Sequence, residues 1–206
     1  MKALVFGSGS GTNFQSIQKQ IESGELPLTI ACVISNKKEA GIAMLADQAQ
    51  IPFRYISEQL FTGYEKFEAA FHELIDEFTP DLLILAGYMR KIPDTIIDRM
   101  ENKITNIHPA LLPAFGGKGM YGMHVHQAVY ESGVKISGAT VHFVNKEYDK
   151  GPIILQDSVK LSGRETVTEI AETVLKIEHQ LYPKALKLIC TNQYRIEANR
   201  VIINDN

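Results

Sequence analysis

Residues 2–23, KALVFGSGSGTNFQSIQKQIES, run from an apolar stretch through three closely spaced glycines into a helical pattern. KALVFG reads as a buried strand and NFQSIQKQIES as a helix, so the chain opens with strand, tight turn and helix. The alternation repeats outward from there. LTIACVIS reads as a second strand, AGIAMLADQAQ as a helix and IPFRYI as a short strand. YEKFEAAFHELIDEF reads as a long amphipathic helix with Phe67, Phe71, Leu74, Ile75 and Phe78 on one face. Asp81 precedes the strand LLILAG, and a helix at PDTIIDRM leads to the strand KITNI. Strands alternating with helices at this spacing imply βαβ units, a mostly parallel sheet and right-handed crossovers.

After residue 108 the pattern changes. A glycine-rich loop, PAFGGKGMYG, gives way to a helix at HQAVYES and two longer strands, KISGATVHFV and PIILQDSVKL. A long helix over TVTEIAETVLKIEHQLYPKALKLIC precedes a hairpin, YRIEANRVII, turning near Ala198 and Asn199. The expected fold class is α/β: a doubly wound, mostly parallel, Rossmann-like sheet with mixed C-terminal strands and a long C-terminal helix. The expected organisation is one domain over 1–206, with a doubly wound half at 1–108, a half at 109–190 that completes the site, and a terminal hairpin at 191–206.

Bulk properties exclude several classes. The hydrophobic fraction of 45% and charged fraction of 22% are ordinary for a folded domain, and a net charge of -3 argues against a nucleic-acid partner. No apolar run approaches the ~20 residues of a membrane span. MKALVFGSGSG meets glycine too early for a signal peptide. Cys32 and Cys190, far apart in apolar segments, read as buried reduced thiols, which points to the cytoplasm.

In doubly wound sheets ligands bind beyond the carboxyl ends of the strands. The segments to inspect are therefore 7–13, 35–36, 86–92 and 106–113. Glycines 7, 9 and 11 open a helix whose free N–H groups suit a phosphate; a plain tight turn capped by Thr12 or Asn13 is the alternative. A dinucleotide fingerprint fails, because Thr12 or Phe14 stands where its third glycine belongs and Ser35-Asn36 replaces the ribose-binding acid. Gly87 is expected to allow close approach of another group, with Arg90 and Lys91 beside it able to meet a carboxylate.

In ITNIHPALLP, residues 104–113, Asn106 and His108 sit two apart at a strand end that Pro109 and Pro113 hold rigid. An imidazole that moves protons wants an orienting acid, and Asp149 or Glu147 in EYDKGPIILQ is available in a turn between two strands. His124 and His126 form a pair without a third ligand, so no metal site is expected. His142 alternates with Val141 and Phe143 and is expected to face a polar interior.

Taken together, GSGSGTNFQ, LAGYMRKI, NIHPALLPAF, GATVHFVNKEYDKGPIILQ and IEHQLYP resemble, in order along nearly the whole chain, the phosphoribosylglycinamide formyltransferase family of purine synthesis. The resemblance implies the formyltransferase fold and transfer of a formyl group from 10-formyltetrahydrofolate to the amine of glycinamide ribonucleotide. It implies folate as co-substrate with no tightly bound cofactor, no metal, no nucleic-acid or membrane partner, and a monomer or homodimer. It puts Asn106, His108 and Asp149 on the catalytic trio. Gly11, Thr12, Asn13, Phe14 and Gln15, with Leu175, Lys176, Ile177 and Glu178, fall on the ribonucleotide-binding segments. Met89, Arg90, Lys91 and Ile92, with Asn106, Asn145, Lys146, Glu147, Tyr148 and Asp149, fall on the folate-binding ones. A cis peptide is implied at Leu112-Pro113. Two departures stand out: Tyr64, with Lys66 two residues on, replaces a basic residue near the folate, and the loop GGKGMYGMHVH is longer than in the shortest relatives.

On this reading the Asn106 amide meets the oxyanion, a contribution of about 3–4 kcal/mol in comparable sites. Protonated His108 supplies a proton to the leaving folate nitrogen, and ionised Asp149 favours that protonated form. A formyltetrahydrofolate hydrolase would use the same trio with water, but carries an extra N-terminal domain, whereas the first strand here starts at residue 2. An initiator-tRNA formyltransferase would add a basic C-terminal domain, and a non-catalytic nucleotide-binding protein would show a damaged trio.

Overall fold

In the computed structural model, which describes residues 1–204, the apolar run at the N-terminus becomes strand β1 (Lys2–Phe6), with Ala3, Leu4, Val5 and Phe6 all buried. It pairs in parallel with β2 (Thr29–Ser35) on one side and β4 (Leu82–Leu85) on the other, and β2 pairs in parallel with β3 (Phe53–Tyr55). Such strands are covered on both faces, which is why they read as continuous apolar runs. Helices α1 (Thr12–Glu22), α2 (Gly41–Gln48), α3 (Tyr64–Phe78) and α4 (Asp94–Arg99) alternate with them.

The α3 periodicity is realised residue for residue. Phe67, Phe71, Leu74 and Ile75 are buried and Phe78 is half-buried. Phe71 stacks on Phe6 at 5.9 Å between ring centroids, and Phe67 meets Phe71 edge-on at 5.1 Å, pinning the helix to β1. Each buried ring is worth roughly 1.5–3 kcal/mol. Asp81, just before β4, accepts the Lys2 N–H at 2.8 Å and so fixes where β4 starts beside β1.

The chain divides into two compact units, one over Met1–Thr105 and a second beginning at Asn106, inside β5 (Ile104–His108). The second unit continues with α5 (Met123–Ser132), the antiparallel strands β6 (Ile136–Phe143) and β7 (Ile153–Lys160), and α6 (Val167–Cys190). A separate antiparallel pair, β8 (Tyr194–Glu197) and β9 (Arg200–Ile203), turns through Ala198 and Asn199 at φ 44° and 64°. Two left-handed residues in a row suit a tight hairpin between right-twisted strands. The expected 191–206 segment ends on Asp205 and Asn206, which lie outside the described residues. Seven strands are hydrogen-bonded in the order β3-β2-β1-β4-β5-β6-β7, a mostly parallel sheet with a long C-terminal helix, as expected.

The 24-residue α6 starts at a reciprocal cap in which Thr166 Oγ1 accepts the Glu169 N–H and Glu169 accepts the Thr166 N–H. Its buried face includes Ile170, Val174, Leu181, Tyr182, Leu186 and Ile189. Local details depart from expectation. Helix α1 is capped by Gly11 at φ 83° with no side-chain cap, so the alternative of a turn capped by Thr12 or Asn13 is not formed. Helix α5 begins three residues before HQAVYES, a 3-10 turn occupies Glu58–Leu60, and Cys190 is half-buried while Cys32 is fully buried. Neither cysteine forms a disulfide among the described residues.

Candidate active site

In the first unit, the loop after β1 takes its shape from packing. A Cβ on Gly11 would lie 2.8 Å from the Ile42 Cα, and one on Gly7 would lie 2.6 Å from Ile42 Cδ1, whereas one on Gly9 would meet nothing within 4 Å. Gly7 and Gly11 thus press the loop onto α2, and Gly9 leaves the space before it open. Thr12 is half-buried, Asn13 is buried, Phe14 lies in the core and Gln15 is exposed, its N–H on the Gly11 carbonyl at 2.9 Å. Phe14 therefore has only its main chain to offer a ligand.

Ser8 joins three strand ends: its hydroxyl donates to Asn36 Oδ1 and accepts the Met89 N–H at 2.8 Å, and its own N–H donates to the Gly87 carbonyl at 3.0 Å. Gly87 itself has φ 75° and a Cβ there would meet nothing within 4 Å, so the backbone turn requires glycine and the space beside it is open among the described residues. Met89 and Arg90 are exposed, Lys91 pairs with Asp94 at 2.7 Å, and Ile92 is in the core. Arg90 also borders a cavity of about 310 Å³ lined by Asn36, Ser57, Phe67 and Tyr88. Tyr64 is 53% exposed at the start of α3.

The second unit brings the trio together around one carboxylate. Asn106 is half-buried and His108 is 3% exposed, both on β5. The turn after them contains a cis Leu112-Pro113 bond and is tied down by Thr140, whose hydroxyl donates to the Ala110 carbonyl at 2.7 Å and accepts the Leu112 N–H at 3.0 Å. Gln156 Nε2 donates to the Leu112 carbonyl at 2.9 Å. The longer glycine loop then returns to the site. His108 Nε2 donates to the Phe115 carbonyl at 2.8 Å, and the Gly117 N–H donates to Asp149 Oδ2 at 2.8 Å. That leaves His108 Nδ1 facing Asp149 Oδ2 at 3.7 Å, too far for a direct hydrogen bond.

Two non-glycine residues here have left-handed backbones, Phe115 at φ 54° and Asp149 at φ 57°. Such strain persists only where surroundings enforce it and gathers at functional sites. Behind Asp149, a Cβ on Gly151 would collide with the Phe143 carbonyl, so only glycine closes this turn. Asn145 Oδ1 accepts the Glu147 N–H at 3.1 Å, and Lys146, Glu147 and Tyr148 are exposed. On α6, Glu178 is buried, Leu175 and Ile177 are half-buried and Lys176 is exposed.

Sequence reasoning did not place His142 in the site. Its Nε2 lies 3.6 Å from Asp149 Oδ1 and 3.2 Å from Asn106 Nδ2, so the carboxylate sits between two imidazoles. His142 does face a polar interior, as its strand alternation suggested. His126 is also buried, with Nδ1 lacking a hydrogen-bond partner among the described residues. Burial pushes the His108 pKa down, and the neighbouring Asp149 charge and the Phe115 carbonyl only partly offset this. The resting imidazole is therefore neutral near pH 7: Asp149 acts in the expected direction, but desolvation is larger. His142 is lowered by burial as well, and His126 by burial and by His108.

A profile of the formyl transferase family matches residues 1–186. The chain is 38% identical to the chloroplastic phosphoribosylglycinamide formyltransferase of Arabidopsis thaliana, covering all of this chain and 70% of that protein. It is 36% identical to the phosphoribosylglycinamide formyltransferase of Haemophilus influenzae, covering 96% and 91% respectively. Among solved structures, glycinamide ribonucleotide transformylase 1 from Symbiobacterium toebii superposes with a TM-score of 0.92 at 37% identity, over 100% of this chain and 94% of that one. A formyltetrahydrofolate deformylase from Pseudomonas syringae is more distant, at 25% identity and a TM-score of 0.89, with 99% of this chain matching 66% of that one. No helix among the described residues is long and apolar enough to cross a membrane. The chain belongs to the formyl transferase family, in its phosphoribosylglycinamide formyltransferase branch.

Proposed function

We infer that the chain transfers the formyl group of 10-formyltetrahydrofolate to the amine of glycinamide ribonucleotide, giving the N-formyl product and tetrahydrofolate in de novo purine synthesis. The observation that carries the chemistry is a largely buried carboxylate, Asp149, 13% exposed, set between His108 and His142. The substrate amine attacks the formyl carbon, and the carbonyl oxygen becomes an oxyanion. Asn106 donates an N–H to that oxygen. The attacking nitrogen loses a proton to Asp149, that proton passes to His108 Nδ1, the ring nitrogen not committed to Phe115, and from Nδ1 it goes to the departing folate nitrogen. No covalent enzyme intermediate is needed, because holding amine and carbonyl together already lowers the barrier.

The loop from Gly11 to Gln15 anchors the ribonucleotide phosphate, where first-turn N–H groups and the helix dipole favour an anion. Glu178, with the neighbouring Leu175, Lys176 and Ile177, holds the rest of that substrate. Met89 to Ile92 and Asn145 to Asp149 hold the folate. Cys32 and Cys190 form no disulfide among the described residues, which suits a reducing compartment and supports action in the cytoplasm, by a monomer or homodimer.

The experiment is an absorbance assay for the folate product, run with and without glycinamide ribonucleotide. Product only with the amine supports transfer. Product at the same rate without it identifies a hydrolase, the activity named for the more distant relative.

A further inference from the structure

His142 lies outside the trio and touches two of its members. Its Nδ1 is 2.7 Å from the Phe143 carbonyl. A carbonyl only accepts, so Nδ1 carries the hydrogen, and a neutral ring then has a bare lone pair at Nε2. That lone pair faces Asn106 Nδ2 at 3.2 Å. The bond decides which end of the Asn106 amide points inward. One amide hydrogen is spent on His142, and the other remains for an oxyanion. A reversed amide would aim its oxygen at the Nε2 lone pair and lose that bond.

The backbone is arranged for this contact. The β6–β7 register shifts between Val141 and His142, pairing Val141 with Leu155 but His142 with Ile153. An irregularity of this kind re-aims one side chain beside a site. The ring is 2% exposed, so it cannot exchange its bond to Asn106 freely for water. Burial also favours the neutral form, outweighing the pull of Asp149 Oδ1 at 3.6 Å; the nearby His108 favours neutrality too.

We propose that His142 is a positioning residue for formyl transfer: it accepts from Asn106 at Nε2 while the Phe143 carbonyl holds its Nδ1–H, and so fixes the Asn106 amide with a hydrogen toward the reacting oxygen. The proposal rests on reading Asn106 as the oxyanion donor, and its test separates the two. Turnover and both KM values are measured for wild type, Asn106→Ala, His142→Phe, His142→Gln and the double variant His142→Phe/Asn106→Ala, with thermal melts to establish folding.

Asn106→Ala is expected to lower kcat by about a hundredfold. His142→Phe is expected to lower it at least about tenfold with KM values within about threefold, because the amide is free to reverse. The double variant is expected to fall no more than about threefold below Asn106→Ala alone, since two residues acting through one bond are not additive. His142→Gln keeps an acceptor oxygen near the Nε2 position and is expected to restore kcat to within about threefold of wild type. Full turnover in His142→Phe, losses that multiply in the double variant, or a Gln variant as impaired as Phe would each overturn the proposal. Full turnover in Asn106→Ala would instead remove the oxyanion reading beneath it. Should the Phe variant fail to fold, His142→Asn, which can still reach the Phe143 carbonyl but not Asn106, replaces it under the same thresholds.

Discussion

In the first unit, the loop after β1 owes its shape to glycines wedged against Ile42. In the second, the loop after β5 owes its shape to two hydrogen bonds with the very residues that would do the chemistry: the Phe115 carbonyl accepts from His108 and the Gly117 N–H donates to Asp149. One loop is shaped by volume, the other by polar contacts paid out of backbone strain at Phe115 and Asp149. Adding a methyl group should therefore damage the first loop through its shape. Removing a single polar atom should damage the second through its reactivity while leaving the fold in place.

The largest expected effect is on the polar side of this contrast. His108→Ala should lower kcat by roughly 10²–10⁴ with ribonucleotide affinity within about threefold, the range for losing a group that moves a proton. Steady-state kinetics beside a calorimetric titration would show it. Equal losses in both quantities would erase the distinction between the loops. Next comes Gly11→Ala, where a left-handed backbone and the Ile42 main chain both oppose a side chain. It should cost roughly 1–3 kcal/mol of stability, and raise the ribonucleotide KM about tenfold with little change in kcat. An unchanged KM would take the phosphate away from this loop.

A smaller effect should appear with pH alone. The histidines whose pKa burial lowers, His108, His126, His142 and His179, all lie in the second unit. The unfolded chain binds protons at these rings around the ordinary value of 6.5, and the folded chain only at lower pH. Stability from these rings is therefore complete above that value and is lost as pH falls through the lowered folded-state values. Melting temperature should be flat at about pH 7–8 and decline below about 6.5, and His126→Gln should make the decline shallower. The carboxylates at the start of α6 act in a different window. Hydrogen bonds from Ser162 and Gly163 hold Glu165 at about 2, so its contribution fades only below the ordinary carboxylate range.

Much of this architecture was legible in the residue order, for reasons that differ by element. Helix α3 was bounded correctly because its buried residues repeat at helical spacing over 15 residues. The terminal hairpin was legible because Ala198 and Asn199 separate the alternating stretch Tyr194–Glu197 from the β-branched stretch Arg200–Ile203. The alternative cap of α1 at Thr12 or Asn13 is not the one formed, because side-chain capping is a local rule, whereas Gly11 is fixed by Ile42 thirty-one positions away. The lowered His108 pKa was missed for a related reason: a neighbouring acid can be inferred from a motif, but burial of the ring depends on everything packed around it. His142 shows the limit most clearly. Alternation in β6 gave its side, but a register shift opposite Ile153 and a turn that returns Asp149 to it are properties of paired strands. The glycine loop at 114–122 likewise revealed its contacts to His108 and Asp149 only through main-chain atoms, which residue types do not encode.

The most direct measurement is on Asp149→Asn, which keeps an acceptor for the Gly117 N–H and removes only the charge between the two rings. Turnover, ribonucleotide affinity and melting temperature would be taken from one preparation. The account expects kcat to fall at least about a hundredfold, affinity to stay within about threefold, and the melting transition to remain cooperative. Unchanged turnover in a folded Asp149→Asn protein would contradict it.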